Sequence, residues 1–457
     1  MTPPHQDDRP VAALLAPDIL AMLDEAPGDV AAETEELHPA NLADIAEALP
    51  RERVAALLSA LPPARAADVL EYLDEELRTE VLERLSTREA AALVSEMTPD
   101  DRADVLEDLE EERAEQILSA IPSAARGETE RLLAFEPDSA GGLMTTEFVS
   151  VSEDLTVEEA LEAVRAVARL GRREAMYTIY ATNKDGQLQG VFTLRELLAA
   201  PAGTRIRDIS WADIVSVSPA ADREEVAQLT RKYDLVAVPV VDSGGRLVGV
   251  VTVDDVIDAM EAEQTEDMQM LGAIAPLQGP YFQTGFWNIA RKRAGWLVLL
   301  FMAEMLTGTA MRHYEATLAA TAALIFFIPL IISSGGNSGS QSATLIIRAL
   351  AVGDVQMRQA MRVLMREAGQ GLVLGAFLGA IGYARAIMWG QPGDVATVIA
   401  VTLMAVVLTG TVVGAMLPLM FIKLGWDPAI ASSPFVSSFV DIAGITIYLS
   451  VAAAVLG

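Results

Sequence analysis

After Met270 the chain carries five apolar runs, each long enough to cross about 30 Å of hydrocarbon at ~20 residues per helix. They read as Ala294–Met311, Thr317–Ser334, Ala368–Trp389, Val395–Ile422 and Ile430–Leu456, with Trp296, Trp389 and Tyr448 suited to the membrane interface. Only 7 of the 64 acidic and 10 of the 33 basic residues follow Met270, so that part carries +3 and residues 1–270 carry −34. A soluble, strongly acidic half is thus joined to a membrane half. So acidic a surface repels phosphates, which argues against nucleic acid as a partner and makes cations the natural ones. Cysteine is absent and histidine occurs only as His5, His38 and His313, which excludes disulfides and leaves almost nothing for a thiolate or imidazole metal site. No Ser/His/Asp set, P-loop or zinc motif occurs, so an enzyme is not expected.

Basic residues near the span ends set the orientation. Arg291, Lys292, Arg293, Arg348, Arg358, Arg362, Arg366 and Lys423 lie on one side, and only Arg312 and Arg385 on the other. This places residues 1–270 in the cytoplasm and, after five spans through the cell's inner or plasma membrane, Gly457 outside. The first ten residues are polar, with no apolar stretch of the kind a signal peptide needs.

The acidic half holds two kinds of repeat. Leu49, Leu61, Leu73, Leu85, Met97, Leu109 and Ile121 recur every twelve positions, each followed by Pro or a polar residue. Each unit reads as a helix of eight or nine residues and a turn. Units this short cannot bury a face alone, which predicts a stacked superhelix. From about Met144 the pattern alternates strand and helix. Val149-Ser150-Val151-Ser152 recurs as Val215-Ser216-Val217-Ser218, and Asp185–Thr193 recurs as Asp242–Thr252. Two copies of strand, helix, strand, strand, helix resemble a tandem pair of CBS domains. Such pairs often bind adenosine nucleotides between the copies, so ATP or a related nucleotide is a candidate ligand, with no residue assigned to it. After the second copy an acidic helical pattern continues toward the first span, with Val256, Ala259 and Met260 on one face.

In the membrane half, Pro329 and the polar, Gly-rich stretch Ser333–Thr344 predict a broken helix at the end of the second span, whose free carbonyls would face an ion. The last span contains one carboxylate, Asp441. An ionised Asp at mid-membrane costs about 2.5–3.5 kcal/mol on the lenient scale, so it should face water. Glu304 in the first span is a second such position. Oxygen ligands suit Mg²⁺ or Ca²⁺, and one carboxylate with carbonyls around a largely hydrated ion mildly favours Mg²⁺.

Here the chain resembles the MgtE family of magnesium channels. The resemblance rests on Gly335–Leu350, on Gly414-Ala415-Met416-Leu417-Pro418, on Asp427-Pro428-Ala429 and on Asp441 with Ile447–Ser450. It implies a multidomain membrane protein. Residues 1–38 are a tail and first helices, and 39–137 an all-α superhelix. Residues 138–200 and 201–254 form an α/β tandem CBS pair, 255–280 a long acidic linking (plug) helix, and 281–457 a five-helix transmembrane domain. It further implies a homodimer embedded in membrane lipid, with a pore lined by the second and fifth spans. Asp441 would be its Mg²⁺ carboxylate, and Asn337 lies in the matching pore segment. Intracellular Mg²⁺ would be sensed by Asp100 and Asp104 on the superhelix and by Asp222, Glu224 and Asp234 in the second CBS copy. The linking helix would add Asp255, Asp258, Glu263, Glu266 and Asp267, and Asp427 would face it. Ser340 and Ser433 stand where relatives are expected to carry Asn, and Arg172-Arg173 are cleft candidates to which the resemblance assigns no role, so nucleotide binding stays open. The implied activity is Mg²⁺ entry closed by intracellular Mg²⁺. Two alternatives stay open: a CBS-gated carrier for another divalent cation or solute, and a membrane-anchored adenylate sensor.

Overall fold

The computed structural model describes residues 10–169, 178–277, 281 and 284–456, so His5 and Arg172-Arg173 lie outside the described residues. The chain forms two compact units, Met1–Ala262 and Glu263–Gly457.

The first unit opens with α1 (Pro10–Glu25), which packs on α2 (Pro39–Ala48) and α3 (Arg51–Ala60). Six more helices keep the twelve-residue period: α4 (Pro63–Glu71), α5 (Glu75–Arg84), α6 (Thr87–Glu96), α7 (Pro99–Glu107), α8 (Glu111–Ala120) and α9 (Ser123–Leu132). The helices run nine or ten residues, against the eight or nine that the sequence suggested. Leu49, Leu61, Leu85, Met97 and Ile121 occupy C-caps in extended conformation, so each leaves its helix while its side chain stays in the shared core. The helix C-termini leave carbonyls without partners, and guanidinium groups satisfy them. Arg102 donates from Nε to Val94 O (3.0 Å) and from Nη2 to Met97 O (2.9 Å). Arg113 does the same for Leu82 and Leu85 (3.2 and 2.6 Å), and Arg126 caps Leu118 (2.8 Å). At the superhelix entrance, His38 Nδ1 accepts from Ala40 N (3.2 Å) and caps α2.

The first CBS copy has β1 (Val149–Ser152), α10 (Val157–Ala168), β2 (Ile179–Thr182), β3 (Leu188–Phe192) and α11 (Leu194–Ala199). β1 pairs parallel with β2, and β2 antiparallel with β3. The second copy has α12 (Arg223–Tyr233) and the antiparallel pair β4 (Ala237–Val241) and β5 (Leu247–Thr252). Its expected first strand, Val215–Ser218, is only a bridge from Val217 to Val240. Val217 N donates to Pro239 O (3.1 Å) and Val241 N to Val217 O (2.9 Å). The next parallel rungs would need amide protons from Pro239 and Pro219, which have none, so the ladder stops on both sides.

The linking helix α13 runs Val253–Leu271 and ends before residue 280, where Ala273 turns to a positive φ of 55°. Residues 278–280 lie outside the described set.

The second unit contains five helices long and apolar enough to cross a membrane. They are α14 (Phe286–His313), α15 (Ile328–Ala351, preceded by the 3₁₀ turn Ala322–Phe327), α16 (Ala360–Met388), α17 (Gly393–Lys423) and α18 (Ser433–Leu456). The expected break in the second span does not occur: α15 is continuous through Ser333–Thr344. Pro329 sits in the first turn, where a missing N–H costs nothing. The glycines are packing positions. A Cβ on Gly414 would lie 2.1 Å from Gly339 O, and one on Gly410 2.4 Å from Gly335 O, so α15 and α17 touch backbone to backbone. Tyr448, expected at the interface, is buried instead (0% exposed), its hydroxyl donating to Leu324 O at 3.0 Å.

Candidate ion-binding sites

Two regions concentrate carboxylates or polar side chains where physics disfavours them. In the first unit, α7 and α13 begin alike: Thr98-Pro99-Asp100-Asp101 and Thr252-Val253-Asp254-Asp255. In each, the threonine Oγ1 donates to the carboxylate three residues on, Asp101 Oδ2 and Asp255 Oδ2, both at 2.5 Å. The two acidic helix starts repel one another. Asp100 is 6% exposed and its Oδ1 has no hydrogen-bond partner. Burial, then the neighbouring Asp101 charge, pushes its carboxyl up to about 6. Asp255 is driven further up, first by burial and then by Asp100. Asp104 is raised by burial and by Asp100 and Asp101. Its side chain reaches the surface, where water screens the repulsion, so Asp100 and Asp255 bear most of the strain. Asp258 is raised by burial, Glu261 and Asp254.

The structure therefore gathers Asp100, Asp104, Asp255 and Asp258 from the sequence expectation and adds Asp101 and Asp254. The doubled Asp at two Thr-led helix starts was the signal for the added pair. Among the described residues no three Asp, Glu or His side chains converge closely enough to cage an ion. Asp222 caps α12 by accepting from Glu224 N (2.8 Å), and Glu224 accepts from Gln228 Nε2 (3.2 Å). Asp234 follows the other end of α12 in left-handed conformation (φ 52°). An eleven-residue helix spans roughly 16 Å, so Asp234 is not brought to Asp222 and Glu224. Glu263, Glu266 and Asp267 lie on the last turns of α13, and Asp427 Oδ1 accepts from Ala429 N (2.7 Å) to start a short 3₁₀ turn.

In the second unit, Ser333, Asn337, Gln341, Thr344 and Arg348 form an exposed polar stripe along α15, spaced by three and four residues. Asn337 Nδ2 donates to Ser333 Oγ (3.3 Å). Hydrocarbon cannot solvate such a stripe; it requires water or another protein surface. Asp441 on α18 stands beside it. A Cβ on Gly336 would lie 3.5 Å from Asp441 Oδ1 and 2.5 Å from Ser437 Oγ, so the glycine leaves the space at the carboxylate open. Asp441 Oδ1 has no hydrogen-bond partner in the protein. Glu304 lines a cleft of about 540 Å³ with Phe301 and with Ser438 of α18. Ser340 and Ser433 prove to be partners, Ser340 Oγ donating to Ser433 O at 3.2 Å.

Comparison with known proteins bears on the family. The family model described as "Divalent cation transporter" matches residues 328–451, and "MgtE intracellular N domain" matches 37–138. "CBS domain" matches 140–203 and 206–262. "Magnesium transporter MgtE" of Thermus thermophilus is 44% identical over 327 residues, 72% of each chain. The chain belongs to the MgtE family. The Bacillus subtilis "Magnesium transporter MgtE" is 30% identical over 420 residues, 92% of each chain. The crystal structure of "the soluble part of a magnesium transporter" matches with TM-score 0.52 at 31% identity, covering 55% of this chain and 99% of that one. That of "the cytosolic domain of the Mg2+ channel MgtE in complex with ATP" matches with TM-score 0.51 at 37% identity, covering 54% and 99%. These MgtE relatives are named as transporters and a channel, not enzymes. Family membership and the five spans together make this a multi-pass membrane protein with a soluble acidic half.

Proposed function

We propose that this chain carries Mg²⁺ into the cytoplasm through a pore between two copies, and that intracellular Mg²⁺ bound to the acidic half closes it. The polar stripe of α15 beside the unpartnered Asp441 carries this reading: it is a water-requiring surface on an otherwise apolar bundle, with one carboxylate at its edge. Ser333, Asn337 and Gln341 offer oxygens to the shell of a hydrated ion, and Asp441 supplies the charge. A second copy of the chain would close the other side of the path, which accounts for a stripe that faces nothing within one chain. In this arrangement the acidic half is cytoplasmic and the C-terminus outside.

Closure follows from charge. Two carboxylates ~4 Å apart repel by about 4 kcal/mol at an effective dielectric of roughly 20. The starts of α7 and α13 are held together against such repulsion. Mg²⁺ bridging Asp100, Asp104, Asp255 and Asp258 would favour the compact state, with Asp222, Glu224, Asp234, Glu263, Glu266, Asp267 and Asp427 as further sensing positions. The ion then closes its own path because it binds that state more tightly. ATP or another adenosine nucleotide at the CBS pair is a second expected ligand. Its support is the CBS topology and the ATP-bound relative.

The test is Mg²⁺ flux into liposomes, wild type beside Asp441→Ala, with Mg²⁺ varied on the soluble-domain side. Flux that requires Asp441 and falls as that Mg²⁺ rises is the expected result. Flux insensitive to that Mg²⁺ removes the sensor. Absence of wild-type flux from folded protein removes the transporter and leaves the adenylate-sensor alternative.

A further inference from the structure

Glu367, on α16, is a carboxylate that the ion path does not use. It is 6% exposed, sits one residue before the apolar run of its membrane helix, and accepts a 2.7 Å hydrogen bond from Ser342 Oγ on α15, itself 4% exposed. Among the described residues no Lys, Arg or His pairs with it. α15 and α16 each pack along α17 and scarcely meet otherwise. Ile346, one turn beyond Ser342, and Val363, one turn before Glu367, form a buried apolar cluster with Ala415 and Leu419. An acidic residue buried without a cation is costly and calls for a role.

The contacts of α15 suggest which role. Its approach to α17 and α18 is closest at Gly335, Gly336 and Gly339, where Val406, Val440 and Ser437 come against bare backbone, while Ile331, Ala343 and Ile347 add its apolar contacts. Glycines bring these helices to backbone distance, and the Ser342–Glu367 bond adds a directional polar tie between α15 and α16. Ser342 lies with Ser338 and Ile346 on the buried side of α15, away from the exposed stripe Ser333, Asn337, Gln341. A bond holding Ser342 inward therefore holds that stripe outward.

We propose that Glu367 is a positioning residue for permeation: through Ser342 Oγ it sets the rotation of α15 and so decides which side chains meet the ion. This rests on the ion-path reading of the stripe, and its test separates the two. The chain has no cysteine, so Gln341→Cys and Ser338→Cys in the full-length protein report the exposed and buried sides through their labelling rates with a charged, membrane-impermeant thiol reagent. Gln341→Cys should react much faster than Ser338→Cys. In Glu367→Ala the ratio of the two rates should fall about tenfold, the loss expected when a buried hydrogen bond no longer biases a two-position equilibrium. Ser342→Ala should do the same, and Glu367→Gln, which keeps an acceptor for Ser342, should restore the wild-type ratio.

A merely structural Glu367 would lower thermal stability and leave the ratio unchanged. An unchanged ratio in Glu367→Ala overturns the proposal, and where that variant does not fold, Ser342→Ala decides by the same criterion. Unreactive Gln341→Cys with Glu367 intact would show that the stripe does not face water, and the ion-path reading would fall together with the inference.

Discussion

Replacing Asp100 by Asn should stabilise the acidic half in the absence of divalent ions, and the gain should grow with pH. Asp100 is 6% exposed, and burial with the Asp101 charge raises its carboxyl from 3.8 to about 6. The folded state thus holds the Asp100 proton more tightly than the unfolded state does. A raised acid destabilises fully above pH 6 and not at all below the unfolded value, so stability falls as pH rises through that window. Between pH 5 and pH 7.5 this upward shift removes on the order of 1 kcal/mol. For a unit of this size that is a few °C in Tm. Asn has no charge to titrate and also relieves Asp255, for which Asp100 is the largest charged neighbour. Thermal unfolding of wild type and Asp100→Asn in chelator, at pH 5 and 7.5, isolates Asp100 and the neighbouring carboxylates it repels, because titrations that Asp100 does not touch cancel in the difference. A stability difference between the two proteins that does not increase from pH 5 to pH 7.5 would refute the electrostatic reasoning. Adding Mg²⁺ should stabilise wild type more than the variant.

Other consequences are equally direct. Arg102→Ala leaves the Val94 and Met97 carbonyls without their guanidinium donor inside the superhelix, and should cost about 2–3 kcal/mol in denaturant unfolding. Gly414→Ala places a methyl 2.1 Å from Gly339 O, which the two backbones can admit only by separating. The expected cost is about 1–3 kcal/mol, with reduced flux from folded protein; unchanged flux and melting would contradict the backbone contact. Asp258→Asn with Glu263→Gln should raise the Mg²⁺ concentration needed for closure in patch recordings, and an unchanged concentration would remove that pair from the sensor.

The membrane spans, the twelve-residue superhelix and the CBS pair were legible in the sequence, because each rests on local patterning. Length and hydropathy specify a span, and a repeat period specifies a stack. What escaped depended on neighbours distant along the chain. Gly335–Gly339 read as a break because glycine and proline weaken isolated helices. In the bundle the same residues let α15 lie against α17, and that packing keeps the helix whole. The first strand of the second CBS copy shrank to one bridge because Pro219 and Pro239, twenty residues apart, meet at the same ladder. Asp101 and Asp254 became part of the acidic cluster only when two Thr-led helix starts came together. Glu367 carried no local signal of its own, since its meaning lies in Ser342, on another span. Sequence by itself determined which segments are helical, which are acidic and which enter the membrane. Tertiary structure alone decided which charges repel, which glycines touch and which hydroxyl holds a buried carboxylate, because those energies depend on separations that the order of residues does not state.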